Sequence, residues 1–198
     1  MMAGRLVVFE GIDGSGKTTL VRRLAERFRE ASIPVFVTKE PTDGPHGMQI
    51  RRFAAAGVRL PPEEELALFE ADRAQHTQTA VLPALDQGHW VLQDRGFHST
   101  AAYQGARGLD PKMILSRSRT FAPEPDVLFW LDVPVELALQ RAQARGAMDA
   151  FEKADQLRRI ATYYGSMPGA IRLDATRPPG AVAEFAWQRL EPSLFPEA

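Results

Sequence analysis

The sequence predicts an α/β fold, a three-layer sandwich in which a five-stranded parallel sheet has helices on both faces. Short runs of β-branched and aromatic residues alternate with longer helical stretches, which is the pattern of strands joined by crossover helices. The strand-like runs are almost continuously apolar, as is typical of strands covered on both faces. A chain of 198 residues favours a single domain with one core.

The predicted elements follow one another in a regular order along the chain. The strands are the runs 5–10, 34–39, 89–94, 126–132 and 170–174. The helical stretches are 17–31, 46–56, 62–87, 111–120, 134–146, 151–165 and 180–190. Because ligands of open parallel sheets bind beyond the carboxyl ends of the strands, we expect functional residues directly after each strand.

The composition excludes several classes of function. The absence of Cys removes disulfides, zinc–thiolate sites and thiol nucleophiles. The 24 basic and 25 acidic residues leave a net charge of −1, which argues against a general binder of duplex DNA or of membrane surfaces. There is no signal-peptide pattern, and no apolar run approaches the roughly 18 residues of a membrane span. We therefore expect a cytoplasmic protein without nucleic-acid or membrane partners.

A glycine-rich motif follows the first strand and opens the first helix. It fits the pattern G-x-x-x-x-G-K-[ST] and comprises Gly11, Ile12, Asp13, Gly14, Ser15, Gly16, Lys17 and Thr18. Its glycines let the backbone wrap closely around phosphates, and the helix N-terminus adds a favourable dipole. Lys17 is expected to reach the β- and γ-phosphates of ATP, and the Thr18 hydroxyl to join the Mg²⁺ shell. The motif predicts a fold of the P-loop NTP hydrolase type.

The chain lacks the base-reading motif of the GTPases, N-K-x-D, because it contains no Asn. Motor and AAA-type ATPases are usually larger and place a paired acidic motif after a strand. Here the third strand ends instead in Asp94 and Arg95, a carboxylate and a guanidinium at the place where phosphate is expected. We predict Thr18 and Asp94 as the metal-binding pair.

Further motifs extend over nearly the whole chain. They are FEGIDGSGKTT at 9–19, LFEADRAQH at 68–76, DRGFHSTAAYQG at 94–105, a Pro-Asp to Asp-Val strand at 125–133, an Arg-to-Glu pattern at 141–152 and Leu-Asp-Ala at 173–175. In this order they resemble the signatures of the thymidylate (dTMP) kinase family. The resemblance implies ATP-dependent phosphorylation of dTMP to dTDP by a homodimer, and the apolar residues of 66–82 offer a candidate dimer face.

The resemblance also implies roles for residues of the acceptor site. Phe69, Arg73 and His76 lie at i, i+4 and i+7 and so share one helix face; Phe69 would stack on thymine and Arg73 would hold the acceptor phosphate. Asp13 would contact the 3′-hydroxyl of the sugar, and Tyr103 would crowd a ribose 2′-hydroxyl. The predicted substrate-binding residues are Asp13, Phe69, Arg73, Arg95, Ser99, Thr100, Tyr103 and Gln104.

Catalysis of phosphoryl transfer depends on positioning and on charge stabilisation. Asp94 would organise Mg²⁺ or its waters, and Arg95 would grip the acceptor phosphate. In the family that the chain resembles, a catalytic Arg stands either in the P-loop or in a mobile lid. Because the P-loop here carries no Arg, the resemblance implies that a mobile lid near 141–152 supplies one, with Arg141 and Arg145 one helical turn apart and Gly146 as a C-cap. The predicted catalytic residues are Lys17, Asp94, Arg95, Arg141 and Arg145.

Three positions depart from the family pattern, and two other functions remain open. Lys39 and Ala150 each stand where the family usually has Arg. The loss of these two arginines is expected to weaken catalysis or to change how the donor nucleotide is bound. Gly96 replaces an aromatic residue and is expected to open space near the acceptor. The alternatives are a kinase for another deoxynucleoside monophosphate or a nucleoside, and a nucleotide-binding regulatory protein. Arg73 and Arg95, as two phosphate-binding arginines, weigh against a nucleoside kinase. The intact P-loop lysine, Lys17, weighs against a regulatory protein without catalytic activity.

Overall fold

The computed structural model describes residues 4–144 and 151–194. Within these residues a five-stranded sheet has the order β2-β3-β1-β4-β5, and all of its pairings are parallel. The strands are β1 (Arg5–Glu10), β2 (Val35–Lys39), β3 (Trp90–Asp94), β4 (Val127–Asp132) and β5 (Ile171–Asp174). The predicted fold class is confirmed, and every predicted strand is present to within one residue.

Helices connect the strands and cover both faces of the sheet. They are α1 (Lys17–Glu30), α2 (Pro45–Ala55), α3 (Pro62–His76), α4 (Leu82–Asp86), α5 (Phe97–Gly105), α6 (Pro111–Ser118), α7 (Val135–Gln143), α8 (Phe151–Gly165) and α9 (Pro179–Leu194). The predicted single helix 62–87 is interrupted, because a π-helical turn at Thr77–Val81 joins α3 to α4. Helix α5 was not among the predicted helices. No helix in the described part of the chain is long and apolar enough to cross a bilayer.

The central strand β1 explains the continuous apolar pattern. Val7 and Phe9 belong to one core cluster with residues of α1 and α9, and the rings of Phe9 and Phe129 stack at 5.5 Å. Leu6 and Val8 belong to a second cluster, with residues of the π-helical turn and α4. The four apolar side chains of this strand are therefore removed from water on one face or the other, which is the main stabilising contribution of such a core.

The register of the strands brings the predicted site together. Phe9 pairs with Asp94 across β1 and β3, and Lys39 pairs with Asp94 across β2 and β3. The backbone N–H of Arg95 donates to the Phe9 carbonyl at 3.0 Å, and that of Glu40 donates to the Asp94 carbonyl at 3.0 Å. The segments that follow β1, β2 and β3 therefore meet at one edge of the sheet.

Candidate active site

The P-loop needs glycine at positions where its backbone turns sharply. Gly14 has a φ of 85°, in the left-handed region that L side chains rarely adopt. A Cβ atom at Gly14 would lie only 2.1 Å from the carbonyl oxygen of Ala138 in α7. The backbone of the loop therefore packs directly on the backbone of α7, and a side chain at Gly14 would push the loop away from this helix.

Lys17 lies inside the loop and is largely buried. Its Nζ donates to the carbonyl oxygens of Gly11 and Ile12, both at 2.9 Å, and to Ser15 Oγ at 3.3 Å. Burial, with a smaller effect from nearby Arg95, lowers the pKa of Lys17 to about 7. The ammonium form is therefore easily lost here, and a bound phosphate would favour it strongly because of the opposite charge.

Thr18 and Asp94 meet at the start of α1. Thr18 Oγ1 donates to Asp94 Oδ2 at 2.7 Å, on the solvent side of the loop. A hydroxyl and a carboxylate are the hard oxygen donors that Mg²⁺ prefers, so the residues fit the predicted ion. Among the described residues no group of three or more His, Asp or Glu could hold a metal by itself. Mg²⁺ is usually held by few protein groups together with water and substrate phosphates.

Arg95 bridges the P-loop and α5. Its Nη1 donates to the Gly11 carbonyl at 3.2 Å and to Ser99 Oγ at 2.9 Å, and its Nη2 pairs with Asp13. The guanidinium also lies over the ring of Tyr103, 5.2 Å from the centroid. Burial raises the pKa of Tyr103 to about 12, so its hydroxyl is protonated at neutral pH. Arg95 therefore pairs with the P-loop aspartate and not with its neighbour in sequence.

A buried network behind Arg95 was not predicted from the sequence. Glu10 is fully buried and its carboxylate accepts from the backbone N–H of Gly96 at 2.9 Å and of Ser99 at 3.0 Å. The Ser99 hydroxyl and the Tyr164 hydroxyl, the latter at 3.0 Å, also donate to it. Burial raises the pKa of Glu10, although these hydrogen bonds and Arg95 oppose the rise. Through Ser99 the network fixes the orientation of Arg95.

Arg73 is held in a second buried network. Only 2% of its surface is exposed, its Nε donates to Glu40 Oε2 at 2.8 Å, and its Nη2 donates to Thr100 Oγ1 at 2.9 Å. The Nη1 atom is buried without a protein partner. Two sides of the guanidinium are thus satisfied, while the third has donors left for another molecule.

Glu40 is in turn held by His76. The Nδ1 atom of His76 lies 3.0 Å from Glu40 Oε1, and its Nε2 lies 2.7 Å from Thr38 Oγ1 of β2. Burial alone would raise the pKa of Glu40, but Arg73 and His76 outweigh it and lower the pKa below its usual value. The shared contact with Glu40 confirms that Arg73 and His76 lie on one face of α3.

The same face of α3 carries Phe69, which is half-buried. One turn before Phe69, Glu65 bonds to Gln104 of α5, and one turn after it, Arg73 bonds to Thr100 of α5. Thr100 and Gln104 are themselves one turn apart. Phe69 therefore lies between two polar pairs that join α3 to α5. The side-chain amide of Gln104 donates to Glu65, and its Oε1 is buried without a protein partner.

The lid arginines are only partly within the described residues. Arg141, near the end of α7, donates from Nη1 to the Ala175 carbonyl at 2.9 Å, in the segment after β5. Arg145, Gly146 and Ala150 lie outside the described residues, so the mobile lid remains a prediction.

Of the three departures from the family pattern, the structure describes two. Lys39 is exposed and its Nζ lies 3.3 Å from Asp43 Oδ1. A Cβ at Gly96 would lie 3.2 Å from Val8 Cγ1, and Gly96 lines a small cavity together with Arg73 and Glu40. The expectation that Gly96 opens space near the acceptor stays a prediction.

The chain is similar in sequence to known proteins over most of its length. The family model described as thymidylate kinase matches residues 9–185. The chain belongs to the thymidylate kinase family. It is 46% identical over 174 residues to a thymidylate kinase of Akkermansia muciniphila, covering 87% of this chain and 84% of that protein. A thymidylate kinase of Xanthomonas euvesicatoria is 48% identical over 176 residues, covering 87% and 77% of the two chains.

An archaeal member of the thymidylate kinase family matches over a longer stretch. A probable thymidylate kinase of Archaeoglobus fulgidus is 40% identical over 191 residues, which is 96% of each chain. The similarity therefore extends well beyond the phosphate-binding motif.

Proposed function

We propose that this member of the thymidylate kinase family transfers the γ-phosphoryl group of ATP to dTMP, yielding dTDP and ADP. The observation that carries the proposal is the position of Arg95. It contacts the Gly11 carbonyl and Asp13 on the P-loop side, and Ser99 and Tyr103 on the α5 side. A guanidinium between a donor loop and an acceptor helix suits the transfer of a phosphoryl group between two nucleotides.

The donor side is served by the P-loop. Its backbone N–H groups and the N-terminus of α1 would bind the ATP phosphates, and Lys17 would contribute a point charge at the β- and γ-phosphates. Thr18 and Asp94 would hold Mg²⁺ together with ATP. The ion would supply charge neutralisation on the phosphates when it is bound.

On the acceptor side we assign the two buried arginines different roles. Arg95, next to the P-loop, would bind the phosphate of dTMP, and Asp13 would contact the sugar. The resemblance to the family implied that Arg73 would hold the phosphate as well. Its pairing with Glu40 and its bond to Thr100 favour the base instead, because a neutralised guanidinium suits an uncharged carbonyl better than a phosphate dianion.

The base would lie on Phe69, between α3 and α5. Thymine presents a carbonyl oxygen at C4 and an N–H at N3. The Nη1 of Arg73 can donate to the carbonyl, and the Thr100 hydroxyl can accept from the N–H while it accepts from Arg73. Cytosine presents an amino group in place of the C4 carbonyl, so a donor would face the Nη1 donor of Arg73. The Thr100 hydroxyl can donate to the bare nitrogen of cytosine as well as accept from the N–H of thymine, so the discrimination would depend on Arg73.

Phosphoryl transfer needs little covalent chemistry from the protein, and we propose no covalent intermediate. The residues named above would hold donor and acceptor in line, and an arginine of the lid, Arg145 or Arg141, would neutralise charge in the transition state. We further propose a single domain, on the basis of the length of 198 residues, a homodimeric assembly, on the basis of the family resemblance, and a cytoplasmic location. The exposed apolar side chains of Val37, Met48 and Val58 support an interface on the β2–α2 side.

The function is tested by following ADP release with MgATP and each of dTMP, dUMP, dCMP, dGMP, UMP and thymidine. We expect turnover with dTMP and weaker or no turnover with the others. Turnover with another acceptor but not with dTMP would overturn the assignment. Replacing Arg73 with Ala should raise the KM for dTMP while the KM for ATP stays within about twofold, and a collapse of ATP affinity would contradict the placement of Arg73.

A further inference from the structure

The guanidinium of Arg73 owes its orientation to groups outside its own helix. An arginine side chain has about 2 kcal/mol of rotamer entropy, so α3 alone does not fix where its Nη1 points. The contacts that do so are the two carboxylate contacts, Nε and Nη2 each 2.8 Å from Glu40 Oε2, and the bond from Nη2 to Thr100. Because the guanidinium is planar, fixing Nε and Nη2 also fixes Nη1.

Glu40 is itself held by two contacts besides those with Arg73. Its backbone N–H donates to the Asp94 carbonyl at 3.0 Å, which ties it to the end of β3. Its Oε1 lies 3.0 Å from His76 Nδ1, and the other ring nitrogen of His76 lies 2.7 Å from the Thr38 hydroxyl. Both side chains are almost completely shielded from water, at 4% exposure each. A chain of contacts thus runs from β2 through His76 and Glu40 to Arg73.

We infer that Glu40 is a positioning residue for base selection, and that it directs the unpartnered Nη1 of Arg73 toward a carbonyl oxygen of the acceptor base, with His76 holding Glu40 in place. This inference rests on the proposed function. Glu40 does not touch the substrate in this scheme. Its effect is exerted through Arg73, and it should therefore appear in the choice of base rather than in the handling of ATP.

The charge of Glu40 also favours this role. The Arg73 guanidinium is buried, and Glu40 supplies the compensating carboxylate. Without Glu40 the buried cation would be uncompensated and would favour an anionic group over an uncharged base. With Glu40 in place, the Arg73–Glu40 pair has little net charge, and the Nη1 donor of Arg73 is held in a fixed direction.

The test replaces Glu40 with Gln and uses Glu70→Gln as the matched control. Glu70 lies on α3, is also buried, and pairs with Arg117, so the control makes the same chemical change in an arginine pair outside the site. We expect Glu40→Gln to raise the KM for dTMP about tenfold and to lower the dTMP-to-dCMP ratio of kcat/KM about tenfold. The KM for ATP should stay within about twofold for both variants, and Glu70→Gln should match the wild type in all three quantities.

A second pair of variants keeps the inference falsifiable if Glu40→Gln does not fold. In His76→Asn the amide nitrogen stands near the place of Nδ1 and still donates to Glu40, whereas His76→Phe removes the contact. We expect His76→Phe to lose base discrimination about fivefold and His76→Asn to recover most of it. Equal discrimination in wild type, His76→Phe and His76→Asn would overturn the inference.

The outcomes also separate this inference from the function on which it rests. A wild-type protein that does not phosphorylate dTMP overturns both. A wild-type protein that phosphorylates dTMP, with Glu40→Gln indistinguishable from Glu70→Gln, overturns the positioning role alone.

Discussion

The hydroxyl of Thr18 donates to the carboxylate of Asp94 at 2.7 Å, although the two residues are 76 positions apart in the chain. The contact follows from the parallel register, because Phe9 at the end of β1 pairs with Asp94 at the end of β3. The strand that ends at Asp94 and the glycine-rich motif that ends at Thr18 are therefore parts of one site.

Asp94→Asn should impair the use of Mg²⁺. The amide keeps the shape but loses the negative charge, so we expect about a 10- to 100-fold loss of kcat/KM that rising Mg²⁺ concentration partly restores. Steady-state assays across a Mg²⁺ titration measure this. Asp132→Asn is the control, since Asp132 ends β4 but pairs with Arg172 at the surface. Equal Mg²⁺ dependence in both variants would contradict the assignment.

ATP binding should take up a proton through Lys17. Its pKa is lowered to about 7 by burial and by Arg95, and the ATP phosphates should raise it again. Above pH 7 the unliganded protein therefore holds fewer protons than the complex, and ATP affinity should fall as pH rises, by at most about tenfold per pH unit. Calorimetry at pH 8 in buffers of different ionisation enthalpy measures the uptake. Lys17→Arg does not titrate and should show none; a wild type without uptake would refute the prediction.

Tyr164→Phe should destabilise the protein and weaken acceptor binding. The change removes a donor to the buried carboxylate of Glu10, which costs about 1.5–3 kcal/mol of unfolding free energy, and it loosens Ser99 and with it Arg95. We expect a higher KM for dTMP with an unchanged KM for ATP. Urea unfolding and steady-state kinetics are compared with Tyr163→Phe, the adjacent residue of α8 outside this network. Identical effects of the two variants would show that the hydroxyl of Tyr164 has no special part.

Gly14→Ala should distort the P-loop. The positive φ and the 2.1 Å approach of a Cβ to the Ala138 carbonyl oxygen predict that the unfolding free energy falls by more than about 2 kcal/mol. We also expect a large rise in the KM for ATP. Gly180→Ala is the control, because a Cβ there meets no heavy atom within 4 Å and the residue lies in the first turn of α9. It should be neutral or slightly stabilising. Normal ATP kinetics in Gly14→Ala would contradict the packing argument.

The sheet could be predicted because its strands are continuously apolar and end in recognisable motifs. Helix α5 was missed because its sequence, from Phe97 to Gly105, contains Ser, Thr, His and two aromatic residues, which have weak intrinsic helix propensity. Its formation depends on tertiary contacts, above all on Glu10, whose carboxylate accepts from the N–H groups of Gly96 and Ser99 at its start. The π-helical turn after His76 likewise has no local signal.

The site could be predicted as a set of positions but not as a set of contacts. The P-loop and the strand-end residues carry short motifs, and their meeting follows from the parallel sheet. The buried networks do not follow from any spacing. Glu10 and Tyr164 are 154 residues apart, and Glu40 and Arg73 come from a loop and a helix whose packing no local pattern specifies. The different environments of Arg73 and Arg95 could not be predicted from the sequence for the same reason.

The order of the sheet also governs when the site can form during synthesis. The central strand β1 is made first, but its partners are β3 and β4, so one of its edges stays unpaired until residue 94 has been made and the other until residue 132 of 198. An apolar strand with open edges is a hazard for association with other chains, and parallel pairing over long separations is slow. Nascent chains that stall before β4 should therefore neither bind ATP nor escape chaperones, whereas chains that stall after β5 should resist proteolysis.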